Sequence, residues 1–219
     1  MHLQLPTGES LFIHVPKTGG NSVQQALIAH GLSRDHFHLS GHQDGVERFD
    51  LRGAITHTKH QALRAYEAQW PAAAHCPVFV GMREPLDRLI SFYFSPHRWF
   101  RHDAATGCYQ LPAEAPFVPE AFIALVNNSP SACDWLADGQ PGSAQPNQLA
   151  ALEASGRLTL LRTESLATDV ERAFGIALAL TPRNVSPYHQ QARDLSKSSE
   201  LRSLVNASHH DLDRQLYYS

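Results

Sequence analysis

The chain has 219 residues, 42% of them hydrophobic and 18% charged, a balance that supports one domain with a sizeable core. Eighteen Lys+Arg against 21 Asp+Glu leave a net charge of −3. A polyanion would therefore have to be held by a local basic patch, and nucleic acid is not an expected partner. Mean hydropathy is −0.31, and no apolar run approaches the ~18 residues of a membrane span.

Taken in chain order, Ser10 to Val15 is a short apolar run ended by Pro16 and predicts a buried strand. After Gly19 and Gly20, the spacing of Val23, Ala26, Leu27 and His30 predicts a helix over Asn21 to His30. Gly53 to His57 predicts a second strand, followed by a helix from Gln61 to Trp70. Pro77 to Met82 predicts a third, with proline at its first position where no ladder bond is required. Glu84 to Phe94 predicts a helix with Pro85 in its first turn and one face made by Leu86, Leu89, Ile90 and Tyr93. Residues 95–119 and 129–146 look like loop excursions on either side of a short helix, Glu120 to Asn127. A late strand at Leu158 to Leu161, a helix at Glu164 to Phe174 closed by Gly175, and one C-terminal helix from Ser198 to Tyr217 complete the chain. Strands alternating with helices predict an α/β fold: a single domain, residues 1–219, with a mainly parallel central sheet flanked by helices.

Met1 to Ser10 lacks the basic start and long apolar stretch of a secretory signal, and a cytoplasmic protein is expected. Cys76, Cys108 and Cys133 form no CxxC pair and leave an odd thiol, which argues for reduced cysteines and against a Cys-type zinc site.

Two segments carry chemistry. In the first, Phe12 to Leu27, an apolar strand runs through Pro16, Lys17, Thr18, Gly19, Gly20, Asn21 and Ser22 straight into a helix. Such a turn is an anion cradle. Amides at a helix start point outward, glycines allow close approach, and the helix dipole favours negative charge. Lys17 is one of only three lysines and adds a full charge; Thr18 and Ser22 add hydroxyls. Because Lys17 precedes the glycines, this is not a Walker A loop. In the second segment, Pro77 to Phe94, strand, polar turn and helix follow again. Arg83 leaves the strand end with a fork suited to a phosphate, and Arg88 and Ser91 share a helix face three residues apart.

The order Pro-Lys-Thr-Gly-Gly-x-Ser resembles the 5′-phosphosulfate loop of sulfotransferases that use 3′-phosphoadenosine 5′-phosphosulfate (PAPS), closest to heparan sulfate 2-O-sulfotransferases and small bacterial carbohydrate-type members. Arg83, Pro85, Arg88, Ser91 and Tyr93 resemble that family's 3′-phosphate segment, with Glu84 where Asn or Asp is commoner. Residues 160–166, 184–188 and the ending Asp213 to Tyr217 are weaker echoes. The resemblance implies a P-loop-like nucleotide-binding fold and transfer of a sulfuryl group to a hydroxyl, on a carbohydrate or small molecule. It implies PAPS as co-substrate, 3′-phosphoadenosine 5′-phosphate (PAP) as product, and no metal. Pro16 to Ser22, Arg83, Arg88 and Ser91 would bind the nucleotide, with Lys17 at the leaving phosphate.

The acceptor hydroxyl needs a base. His60, after Lys59, matches the Lys-His pattern of small bacterial relatives and is the first choice; His57 is the second, and a carboxylate among Asp44, Glu47 and Asp50 is a third option. A zinc site from His36, His38 and His42 is conceivable by count alone. Cations interleaved with aromatics from His97 to His102 suit a sugar or phenol, so the two excursions are expected to shape the acceptor site. The rival readings are a nucleotide or small-molecule kinase of related fold, which would call for Mg²⁺ and a Walker-type lysine, and a PAPS-binding protein without catalysis.

Overall fold

A computed structural model describes residues 1–32, 60–99, 101–103, 105, 108–180 and 186–219. From the N-terminus the elements are β1 (His2–Leu5), β2 (Gly8–Ile13), α1 (Gly20–Ala29), α2 (Leu63–Gln69), β3 (Val78–Met82), α3 (Pro85–Tyr93), α4 (Pro96–Trp99), β4 (Arg101–Asp103) and β5 (Cys108–Gln110). Then come α5 (Pro119–Asn128), α6 (Pro146–Ala154), β6 (Leu158–Arg162), α7 (Leu166–Phe174), α8 (His189–Leu195), α9 (Ser199–Asn206) and α10 (Asp211–Tyr218).

The central sheet has the order β1–β2–β3–β6. β2, β3 and β6 are parallel, in a register that sets Leu11 beside Val78 and Val78 beside Leu158. β1 pairs antiparallel at the edge, and β4 and β5 form a separate hairpin. The fold is α/β, as the alternation of strands and helices predicts.

Side chains alternate across the sheet. Leu11, Ile13, Val78, Val80 and Met82 face one layer, with α2, α6, α10 and Trp135. Phe12, Phe79 and Leu161 face the other, with Leu3 and Leu5 of β1, Val23 and Leu27 of α1, and Val170 and Phe174 of α7. In a third cluster, Leu89 and Tyr93 of α3 and Phe94 just after it pack with Phe122, Tyr188 and Val205.

Several expectations are corrected. β1 adds a strand, its inward Leu3 and Leu5 too short a run to stand out. α6 occupies ground read as the end of a loop, because Pro146 is the first residue of a helix rather than a breaker. α8 arises in a polar stretch without an apolar face. The single C-terminal helix is two, α9 and α10. Between them Ser208 Oγ accepts from the His210 amide and donates to the Val205 carbonyl, offering the backbone an alternative to the helical ladder. That break turns His210 inward, where it is fully buried. The strand expected over Gly53 to His57 lies outside the described residues.

Candidate active site

The residue that follows each of the three parallel strands, His14, Arg83 and Thr163, lines one cleft of about 810 Å³. In open parallel sheets this is the edge where ligands bind. Lys17 and Gly19 to Ser22 line it from the loop and the start of α1, Arg83 and Ser91 from the β3–α3 segment, and Arg193 of α8 and Ser196 just beyond it from a third part of the chain.

The loop between β2 and α1 is held by close packing. A Cβ on Gly20 would come 2.1 Å from His14 Cδ2, and one on Gly81 of β3 would come 2.3 Å from Thr18 Oγ1. Glycine at both positions lets the loop fold down onto the sheet. Thr18 is fully buried there, its hydroxyl donating to the Val15 carbonyl at 2.9 Å. Lys17 is the one non-glycine among the described residues with positive φ, at 71°. That conformation costs a side-chain-bearing residue roughly 1–2 kcal/mol, and it occurs at the residue expected to face a phosphate. The Ser22 and Val23 amides are taken by the Gly19 carbonyl. Among the described residues those of Gly20 and Asn21 have no backbone acceptor, which leaves them for an anion.

Arg83 is half-buried and has no hydrogen-bond or ion-pair partner among the described residues. Glu84 explains the departure from Asn or Asp at its position. It caps α3 by accepting from the Asp87 amide at 2.9 Å and also pairs with Arg202 of α9.

Arg88 is not in the cleft, a correction to the expectation that it binds nucleotide. It is 2% exposed, donates to the Pro130 carbonyl at 2.9 Å and lies 3.6 Å from Asp213, which is fully buried. Asp213 also accepts from the amides of Ala132 and Cys133. Burial works to raise its pKa, but the Arg88 guanidinium and the Ala132 amide outweigh it and hold the carboxyl below its ordinary range. His210 Nε2 lies 3.0 Å from the Val126 carbonyl and can only donate there; its Nδ1 lies 3.2 Å from Arg88 Nη2 and can only accept. The ring is therefore neutral, consistent with a pKa lowered first by burial and then by Arg88. This buried cluster gives the closing Asp213 segment a structural task.

His60 is 7% exposed and does not line the cleft. Its Nδ1 donates to the His14 carbonyl at 2.7 Å, which makes Nε2 the acceptor nitrogen of the neutral ring. Its ring lies 4.3 Å from that of His14 and 6.1 Å from Trp135. His57, Asp44, Glu47, Asp50, His36, His38 and His42 lie outside the described residues. Pro16 is buried. Of the cation–aromatic run, Trp99 is buried with Nε1 donating to the Tyr93 carbonyl, and Arg98 stacks 4.7 Å over the Tyr93 ring. Both belong to the helical cluster rather than to the cleft.

His14, Thr163, His189 and Arg193 are among the cleft residues that sequence reasoning missed. His14 left a trace, a polar side chain in an apolar strand immediately before the loop. Arg193 left none, because only packing brings α8 to the strand ends.

No protein-family model matches the chain, and no curated protein or solved structure matches it. Among the described residues no helix is long and apolar enough to cross a membrane.

Proposed function

We propose that the protein is a PAPS-dependent sulfotransferase with a P-loop-like nucleotide-binding fold, transferring a sulfuryl group to a hydroxyl of a carbohydrate or small molecule. The observation that carries this reading is the convergence of both sequence motifs on one cleft, which Lys17, Gly20 and Asn21 line from the first and Arg83 and Ser91 from the second. These are two anion-binding groups of different design within one cavity, as a nucleotide with separate 5′ and 3′ phosphates requires.

Sulfuryl transfer is an in-line displacement in which positioning and electrostatics supply most of the acceleration, as in phosphoryl transfer. Lys17 meets the charge that builds on the leaving 5′-phosphate. Arg83 and Ser91 hold the 3′-phosphate, with Arg193 facing the same cavity. The acceptor's proton goes to an imidazole at the carboxyl end of β2, where His14 lines the cleft. No group in the chemistry calls for a metal.

The test is ligand-induced stabilisation. PAP at about 100 times its Kd should stabilise the fold by roughly 2.7 kcal/mol, read as a rise in Tm, whereas ATP with Mg²⁺ should not. Stabilisation by ATP–Mg²⁺ and not by PAP would move the protein to the kinase reading. Transfer of radiolabelled sulfate from PAPS in an acceptor screen separates an enzyme from a non-catalytic binder.

A further inference from the structure

This inference rests on the sulfotransferase reading and names the group that takes the acceptor's proton. We infer that His14 is the general base of the cleft and that His60 is a positioning residue behind it. His14 lines the cavity and His60 does not. His14 is the first residue beyond β2 and stands three before Lys17, so it shares the turn that holds the leaving phosphate.

Its ring is packed from both sides. On one side lies the first residue of α1: a Cβ on Gly20 would approach His14 Nε2 to 2.4 Å and Cδ2 to 2.1 Å. The Nε2 edge thus stands against the start of α1, whose Gly20 and Asn21 also line the cleft. On the other side lies the His60 ring at 4.3 Å, with Trp135 beyond it. The His60 Nδ1–H bond to the His14 carbonyl, 2.7 Å, holds the backbone from which the His14 ring projects. His14 is 4% exposed, and packing between Gly20 and His60 limits its motion, which lowers the entropy lost when substrate arrives.

The step balances within the site. The acceptor oxygen forms a bond to sulfur, and its proton passes to His14 Nε2. The bond from sulfur to the bridging oxygen of the 5′-phosphate breaks, and its electron pair leaves with PAP, facing Lys17.

Water serves as a universal acceptor for the test, with PAPS as the donor and release of PAP and labelled sulfate as the readout. His14→Ala should lower turnover by about 10²- to 10⁴-fold with KM for PAPS within about threefold. Added imidazole should restore at least about tenfold of that loss, as expected when a missing proton acceptor is supplied from solution. His14→Gln, which keeps the size and a polar head but cannot take a proton, should be equally slow while PAP still raises its Tm. That variant keeps the question open to test if His14→Ala folds poorly. His60→Phe preserves the ring stack and removes the Nδ1–H bond; it should lose about tenfold in turnover without imidazole rescue. Near wild-type turnover in His14→Gln with PAP stabilisation intact overturns the role of His14 and leaves the sulfotransferase reading standing. Imidazole rescue of His60→Ala but not of His14→Ala assigns the base to His60 and also overturns it. A wild-type protein that neither binds PAP nor turns over PAPS overturns both.

Discussion

Arg83 and Arg88 belong to one short segment and have opposite fates. Arg83 stands at the end of β3 with its head in the cleft and no ion-pair partner among the described residues, whereas Arg88 is sealed against Asp213, His210 and the Pro130 carbonyl. Their alanine variants should therefore separate binding from folding. Arg83→Ala should weaken PAP by about 2–3 kcal/mol in calorimetry, leave adenosine 5′-phosphosulfate (which has no 3′-phosphate) nearly unchanged, and leave urea unfolding within about 0.5 kcal/mol of wild type. Arg88→Ala leaves the Asp213 carboxylate buried without its cation and should cost about 3–5 kcal/mol of stability. A folded, fully stable Arg88→Ala protein with weakened PAP binding would return Arg88 to the nucleotide site.

At the scale of the strand–loop–helix element, backbone conformation and charge work against each other at Lys17. Its φ of 71° would suit glycine better than lysine. Strain of this kind persists where the surrounding structure enforces it, and it concentrates at functional sites. Lys17→Gly should accordingly raise stability by about 1 kcal/mol while cutting kcat by about 10²-fold, the scale of one lost transition-state contact. Lys17→Ala should show the same loss of kcat without the gain in stability. A near-wild-type kcat in both variants, with only KM for PAPS raised, would remove Lys17 from the leaving-group role.

Across the whole molecule, the Arg88–His210–Asp213 cluster ties α3 and α10 to the segment before Cys133, and Asp134 organises the turn beyond by accepting from the amides of Ser131, Gly142 and Ala144. Burial, with the Asp213 carboxylate beside it, pushes the Cys133 thiol far above its ordinary range, so this cysteine stays a protonated packing group. The cluster also sets a response to acid. His210 is neutral when folded, its pKa depressed below the ordinary 6.5. The unfolded chain therefore binds one more proton below that pH, and stability present above 6.5 is lost as pH falls. Asp213 adds a second loss at lower pH, between its ordinary 3.8 and the folded value of about 2. In urea unfolding between pH 7.5 and 5, the difference between wild type and His210→Gln should develop a slope approaching about 1.4 kcal/mol per pH unit. Parallel profiles for the two proteins would mean that His210 takes up its proton without unfolding.

What the sequence determined by itself is local. Contiguous apolar runs followed by glycines or proline place β2, α1, β3 and α3 within two residues of their observed ends, because strand and helix periodicity and turn chemistry act between near neighbours. The same locality singled out Lys17, Asn21, Ser22, Arg83 and Ser91 as candidates, and all of them line the cleft. The tertiary structure alone decided which charged side chains were available. Arg88 reads like Arg83 in sequence, but a buried Asp213 far along the chain claims it, since an unpaired carboxylate in the core is too costly to leave. It decided that His60 stands behind His14 instead of in the cavity, and that the polar helix α8 brings Arg193 to the strand ends. Burial and partner choice depend on residues distant in sequence, and no local pattern encodes them.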